Sequence, residues 1–144
     1  MTNALPTPSA AEAGARRFTW PGTRVLVVDD AITIRLFCRQ ILEKAGFEVI
    51  EAINGLEGLE QLLQGTIDLI VVDVNMQKMD GYEMLREVRR QPVLSAIPAV
   101  MMSTKSKPED VDKAYAAGAN YYLFKPIRPE PFLACVRLLT ATVQ

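Results

Sequence analysis

The feature that most constrains this chain is a fivefold alternation of short apolar runs with stretches of helical period. The runs begin at "RVLVV" (from Arg24) and continue as "FEVIEA", "DLIVVDV", "IPAVMMS" and "NYYLFK". "VLVV" and "LIVV" are unbroken and rich in β-branched residues, the signature of strands buried on both faces. Between them lie segments with apolar residues three and four apart. In "ITIRLFCRQILEKAG" these are Ile34, Phe37, Ile41 and Leu42, with Gly46 placed to stop the helix. "NGLEGLEQLLQG" opens on Asn54 as a cap and predicts Leu56, Leu59, Leu62 and Leu63 on one face. "DGYEMLREVRRQ" presents Met84, Leu85 and Val88. "PEDVDKAYAAGA" runs from Pro108 to Gly118, and the last helix shows Phe132, Cys135, Val136 and Leu139. Strand–helix repeats of this kind imply an α/β fold: one parallel sheet with helices on both faces. They predict a single domain over residues 23–144, behind a disordered leader over 1–22 that is rich in Ala, Pro, Thr and Ser.

In an open parallel sheet, ligands bind beyond the carboxyl ends of the strands. The first run ends in Asp29 and Asp30, the third in Asp73, the fourth in Ser103 and Thr104, the fifth in Lys125. The second ends without such a group, at Ala52 and Ile53. Three acids, a hydroxyl and an ammonium therefore meet on one rim. Any of the acids could instead cap a loop or helix, and Asp30 is placed to share that work at the start of the first helix. Three carboxylates cannot sit together ionised without a counter-charge. Oxygen ligands without His or Cys favour a hard cation such as Mg²⁺, which shares its remaining ligands with phosphate. With Lys125 as a point charge and a hydroxyl donor beside it, the set suits phosphoryl transfer onto a carboxylate.

Composition narrows the alternatives. The chain has no histidine, so it offers neither the commonest general base nor a phosphohistidine. A net charge of −1 with no block of like charges predicts no nucleic-acid or membrane surface. Nothing resembles a secretory signal or a spanning helix, so the expected location is the cytoplasm. Cys38 and Cys135 fall in helical apolar patterns and read as free buried thiols. Gly55 and Gly58 read as helix-start and packing positions, and Arg16, Arg17 and Trp20 as leader residues without a role.

"VLVVDD", "LIVVDVNMQKMDG", "PAVMMS" and "YYLFKP", in that order and each at a strand end, resemble a response-regulator receiver domain of the CheY-like, single-domain kind. The resemblance covers residues 24–143. It implies a flavodoxin-like doubly wound sheet of five strands in the order 2-1-3-4-5. It implies that Asp73 accepts the phosphoryl group and that Asp29 and Asp30 hold Mg²⁺ with Asp73, Asp30 more directly. The backbone carbonyl of Asn75 would complete that set. Ser103 would turn its hydroxyl to the phosphoryl group, Lys125 would pair with it, and Tyr122 would rotate in step with Ser103. Pro126 after Lys125 suggests a cis peptide. The implied partners are a sensor histidine kinase or phosphotransfer protein, and a downstream protein on the surface of the fourth helix, fifth strand and fifth helix. Gln77, Thr104 and Lys105 depart from the common pattern or flank the water path, and are expected to tune phosphoryl lifetime. The expected function is a stand-alone switch in a two-component phosphorelay, with chemotaxis, motility and general phosphorelay all open, no output domain, and no enzymatic turnover beyond its own phosphorylation and dephosphorylation. A phosphate sink or relay is an alternative. An aspartate-nucleophile phosphatase would need a second acid where Asn75 stands.

Overall fold

The computed structural model describes residues 22–141. The expected leader, with Arg16, Arg17 and Trp20, lies outside the described residues but for Gly22. Ten elements alternate: β1 (Arg24–Val28), α1 (Ile32–Lys44), β2 (Glu48–Ala52), α2 (Gly55–Gln64), β3 (Leu69–Asp73), α3 (Gly81–Arg90), β4 (Ala99–Ser103), α4 (Pro108–Ala117), β5 (Tyr121–Phe124) and α5 (Pro129–Thr140). The strands form one parallel sheet in the order β2-β1-β3-β4-β5. The reversal point lies between β1 and β3, where Val28 pairs with Val72. The two acids that follow Val28 are thereby set beside Asp73, the last residue of β3.

The sheet separates two cores because successive strand residues point to opposite faces. Leu26, Val28, Ile70, Val72 and Met101 face α2, α3 and α4, with Leu62, Met84, Leu85 and Val88 packed on them. Val25, Val27, Leu69, Val71 and Val100 face α1 and α5, against Cys38, Leu42, Phe132 and Val136. Each fully buried large side chain in these layers contributes roughly 1.5–3 kcal/mol. Truncating Phe132, the largest fully buried one, would cost about 3–5 kcal/mol.

Two sequence expectations need correction. Leu56 and Leu63 are exposed, and the inward face of α2 is Gly55, Gly58, Leu59 and Leu62. The helix lies so close to its neighbour that glycine, rather than leucine, occupies the contact line: a Cβ on Gly55 would stand 2.7 Å from Met79 Cγ, and one on Gly58 2.8 Å from Met84 Cε. Nor does Asp30 cap α1. The N-cap is Ala31, with no side-chain cap, and Asp29 Oδ1 accepts the Ala31 N–H at 2.8 Å instead. Asn54 does cap α2, accepting from Glu57 N, and Asp80 with Glu83 forms a reciprocal capping box on α3. Among the described residues no helix is long and apolar enough to cross a membrane.

Candidate active site at the carboxyl rim

Asp73 closes an entirely buried strand and is itself only 5% exposed. Its main chain is held from behind by α3: a Cβ on Gly81 would run into the Asp73 carbonyl oxygen, so the first helical residue must be glycine for the helix to approach this closely. Val74 N–H bonds the Met102 carbonyl and Gly81 N–H the Val74 carbonyl, at 3.0 and 2.9 Å. The acceptor candidate thus stands on rigid backbone.

Lys125 bridges two of the acids. Its Nζ lies 2.8 Å from Asp73 Oδ1 and 2.9 Å from Asp29 Oδ2. The lysine is delivered by β5, whose register with β4 carries Lys125 N–H onto the Ser103 carbonyl, and the Lys125–Pro126 peptide is cis. Asp29 is fully buried, whereas Asp30 is exposed and forms no ion pair among the described residues. Carboxylate oxygens of Asp29, Asp30 and Asp73 lie within 4.8 Å of one another.

The electrostatics follow from this crowding. Burial pushes the Asp73 carboxyl above its ordinary value; Lys125 pulls it back, and Asp29 adds to the rise. Burial alone would lower the Lys125 ammonium, but its bonds to Asp73 and Asp29 outweigh that and raise it. One ammonium paired with two of three clustered carboxylates leaves a net negative set of oxygen donors. Such a set suits a divalent hard cation, and the carboxylates of Asp29, Asp30 and Asp73 are the residues that would hold it.

On the other side, Ser103 is fully buried at the end of β4 and its Oγ accepts the Lys105 N–H at 3.0 Å. Tyr122 points inward, 6% exposed, and donates its hydroxyl to the Lys105 carbonyl at 2.8 Å; Tyr121 points out. Both side chains therefore bind one residue, Lys105, from opposite ends. Asn75, Gln77, Thr104 and Lys105 are all exposed on the rim loops. Cys38 and Cys135 are free and buried, with thiols pushed up to about 12 and about 11 by burial, which makes them poor nucleophiles.

Arg35 is a site neighbour that sequence reasoning missed. Its Nη1 donates to the Asp29 carbonyl at 2.7 Å and its Nε to Glu51 Oε1 at 2.8 Å. It therefore grips the peptide that joins the two acids. The signal available was its place on the first turn after "DD", on the side facing β2, but no charge pattern marked it out from other helix arginines. With Asp30, Ile53, Asn54, Gln77 and Lys78 it lines a cleft of about 380 Å³.

A parallel sheet with this strand order and an acid–lysine cluster at its reversal point defines a class, and the comparisons agree with it. The response regulator receiver domain model matches residues 25–137, and the chain belongs to that family. Protein PilG of Pseudomonas aeruginosa is 32% identical over 116 residues, 81% of this chain and 86% of the relative. The probable transcriptional regulator ycf29 of Pyropia yezoensis is 33% identical over 118 residues; the match takes in 82% of this chain and about half (53%) of that longer relative. Among solved structures, chemotaxis protein CheY4 of Vibrio cholerae superposes with a TM-score of 0.78 at 36% identity, over 82% of this chain and 98% of that one.

Proposed function

We propose that this protein is a phosphorylation-controlled switch that accepts a phosphoryl group on Asp73. The observation that carries the reading is the Asp73 carboxylate at the end of a buried strand, 2.8 Å from Lys125 Nζ and clustered with Asp29 and Asp30. Mg²⁺ held by the three carboxylates and the Asn75 carbonyl would neutralise charge on the transferred group. The chain's own residues do the rest. Asp73 attacks the donor phosphorus in line through its ionised carboxylate. Lys125, already hydrogen-bonded to Asp73 and Asp29, stands ready to pair with a phosphoryl oxygen.

The output rests on Ser103 and Tyr122. Ser103 Oγ accepts from Lys105 N–H, which leaves its own O–H free to donate to a phosphoryl oxygen. Turning toward that oxygen loosens its hold on Lys105, the residue whose carbonyl receives Tyr122. The added charge, about −1.5 to −2, biases this two-state loop. Tyr115, Tyr121, Phe124 and Leu138, all exposed on α4, β5 and α5, offer the downstream partner an apolar surface. The donor is a sensor histidine kinase or phosphotransfer protein, and the chain catalyses only its own phosphorylation and dephosphorylation. Gln77, Thr104 and Lys105 set the lifetime. Similarity to chemotaxis protein CheY4 favours a chemotaxis or motility circuit.

Incubation with Mg²⁺ and acetyl phosphate is expected to add one phosphate by intact mass, and Asp73→Asn to add none. Absence of uptake by the unaltered protein would refute the reading. A pull-down with phosphorylated and unphosphorylated protein separates a partner switch, which gains or loses a protein, from a sink or relay, which does not.

A further inference from the structure

The cleft beside the acid cluster holds an ammonium, that of Lys78, which the switch mechanism does not use. It lies over β2, β1 and β3, on the opposite side of the acids from Ser103 and Lys125, and Asp30 is one of its walls. Lys78 enters it from a strained backbone. Met79 N–H bonds the Gln77 carbonyl at 2.8 Å across Lys78, whose φ is +69°, so the lysine is the centre of a γ-turn in the left-handed region. That turn is held in place from outside: the Met79 carbonyl accepts Gly55 N–H at 3.2 Å, and Gly81 N–H bonds back to Val74. Lysine gains nothing conformationally at such a position, where glycine would sit without strain. Its ammonium forms no ion pair among the described residues. Arg35 lies in the same cleft with Nε and Nη1 committed to Glu51 and the Asp29 carbonyl, so its charge is already met and Lys78 is the cation left to a ligand there. Between them Ile53, 47% exposed, gives an apolar wall, and Asn54 and Gln77 give amides.

We propose that this cleft receives the leaving group of a small acyl phosphate donor, with Lys78 stabilising the carboxylate that departs and Ile53 covering a short acyl chain. The inference rests on the reading of Asp73 as acceptor. In the step, an Asp73 oxygen forms a bond to phosphorus while the bond from phosphorus to the acyl oxygen breaks. The electron pair of that bond leaves on the acyl oxygen, giving a free carboxylate; no proton or redox partner is needed. Negative charge therefore grows on the leaving oxygen, where the Lys78 ammonium lowers the barrier. Phosphoramidate is the contrasting donor: it reacts with its nitrogen already protonated, so its phosphorus–nitrogen bond breaks with the electron pair on nitrogen to release neutral ammonia, and the same ammonium has little charge to stabilise. The cleft thus selects among phosphodonors by the charge of what leaves.

The test measures aspartyl-phosphate formation by intact mass with each donor, at one saturating Mg²⁺ concentration, alongside thermal unfolding. In Lys78→Met the ratio of the acetyl phosphate rate to the phosphoramidate rate is expected to fall about fivefold, the size of one partly exposed charge interaction. Lys78→Arg is expected to restore the ratio. Lys78→Gly is expected to show the same fall with a Tm at or above that of the unaltered protein, because glycine releases the γ-turn strain. An unchanged ratio in Lys78→Met, or equal loss with both donors, overturns the proposal. If the unaltered protein takes phosphate from neither donor, the Asp73 reading falls and this inference with it; if it takes phosphate and the ratio does not move, the cleft assignment alone falls.

Discussion

Among the described residues, the charges around Glu51 and those around Asp73 make two clusters, and only the first is balanced. At the edge by β2, Glu51 takes Arg35 Nε at 2.8 Å and Arg39 Nε at 2.6 Å, while Arg39 also reaches Glu43 and the Val49 carbonyl. Burial would push the Glu51 carboxyl up, but the two guanidinium bonds overcome it and hold it below its ordinary value. At the carboxyl rim, Lys125 pairs with Asp29 and Asp73 while Asp30 beside them forms no ion pair among the described residues, and Asp73 rises instead. The first arrangement satisfies its charges and acts as a clamp on α1. The second leaves negative charge in excess within a buried pocket, which costs stability unless something else binds. Structural ion pairs close their own ledger, whereas a site built for a cation and a phosphate stays open.

Breaking the lysine should show this most strongly. Lys125→Met leaves buried Asp29 and Asp73 without their ammonium, and is expected to cost about 3 kcal/mol in urea unfolding with chelator present. Added Mg²⁺ should recover part of that loss; equal loss with and without metal would count against a cation at the acids. Next comes Arg89, a structural cation for comparison. It donates to the carbonyls of Ser95, Ile97 and Gly118 and to Asn120 Oδ1, tying α3 to the starts of β4 and β5. Arg89→Met should cost about 2 kcal/mol and be indifferent to Mg²⁺.

A smaller effect of opposite sign is expected at the acceptor. Asp73→Asn removes one of three crowded carboxylates, so without metal it should gain about 1 kcal/mol. A loss would mean the cluster is not in excess. The smallest effect is in pH. A raised folded value means that native Asp73 binds its proton more readily than the unfolded chain does. The advantage of Asp73→Asn is therefore present at neutral pH and fades as pH falls through the raised value, above the ordinary 3.8. Glu51 runs the other way: the stability it contributes is complete above its ordinary 4.5 and lost only as pH falls below that. Unfolding series from pH 7 to pH 3 on Asp73→Asn and Glu51→Gln should separate the two windows, and coincident windows would erase the contrast.

Much of this was legible in the chain. The unbroken runs "VLVV" and "LIVV" marked buried strands, and their terminal acids marked the rim, because period and position are local properties. Ser103 and Lys125 were legible for the same reason, as strand-end residues in a parallel sheet. Alternation puts Tyr121 and Tyr122 on opposite faces, but only the structure shows that Tyr122 is the one turned inward. Leu56 and Leu63 misled because helical period places apolar residues without saying how close the next helix comes; here Gly55 and Gly58 set that distance. Arg35 was illegible because its two partners, Glu51 and the Asp29 carbonyl, are neighbours only after β1 and β2 pair. Lys78 was passed over because a left-handed lysine leaves no compositional mark.

The sequence by itself determined the strand–helix alternation, the single sheet, and which residue types end each strand. Those follow from side-chain period and from the parallel connection, which chain order alone dictates. Only the tertiary structure decided how the charges divide. It paired Lys125 with both Asp29 and Asp73, left Asp30 exposed, and gave Arg35 to Glu51. These outcomes depend on distances between strand ends far apart in sequence, and electrostatic energy is decided by distance and burial, neither of which a linear pattern carries.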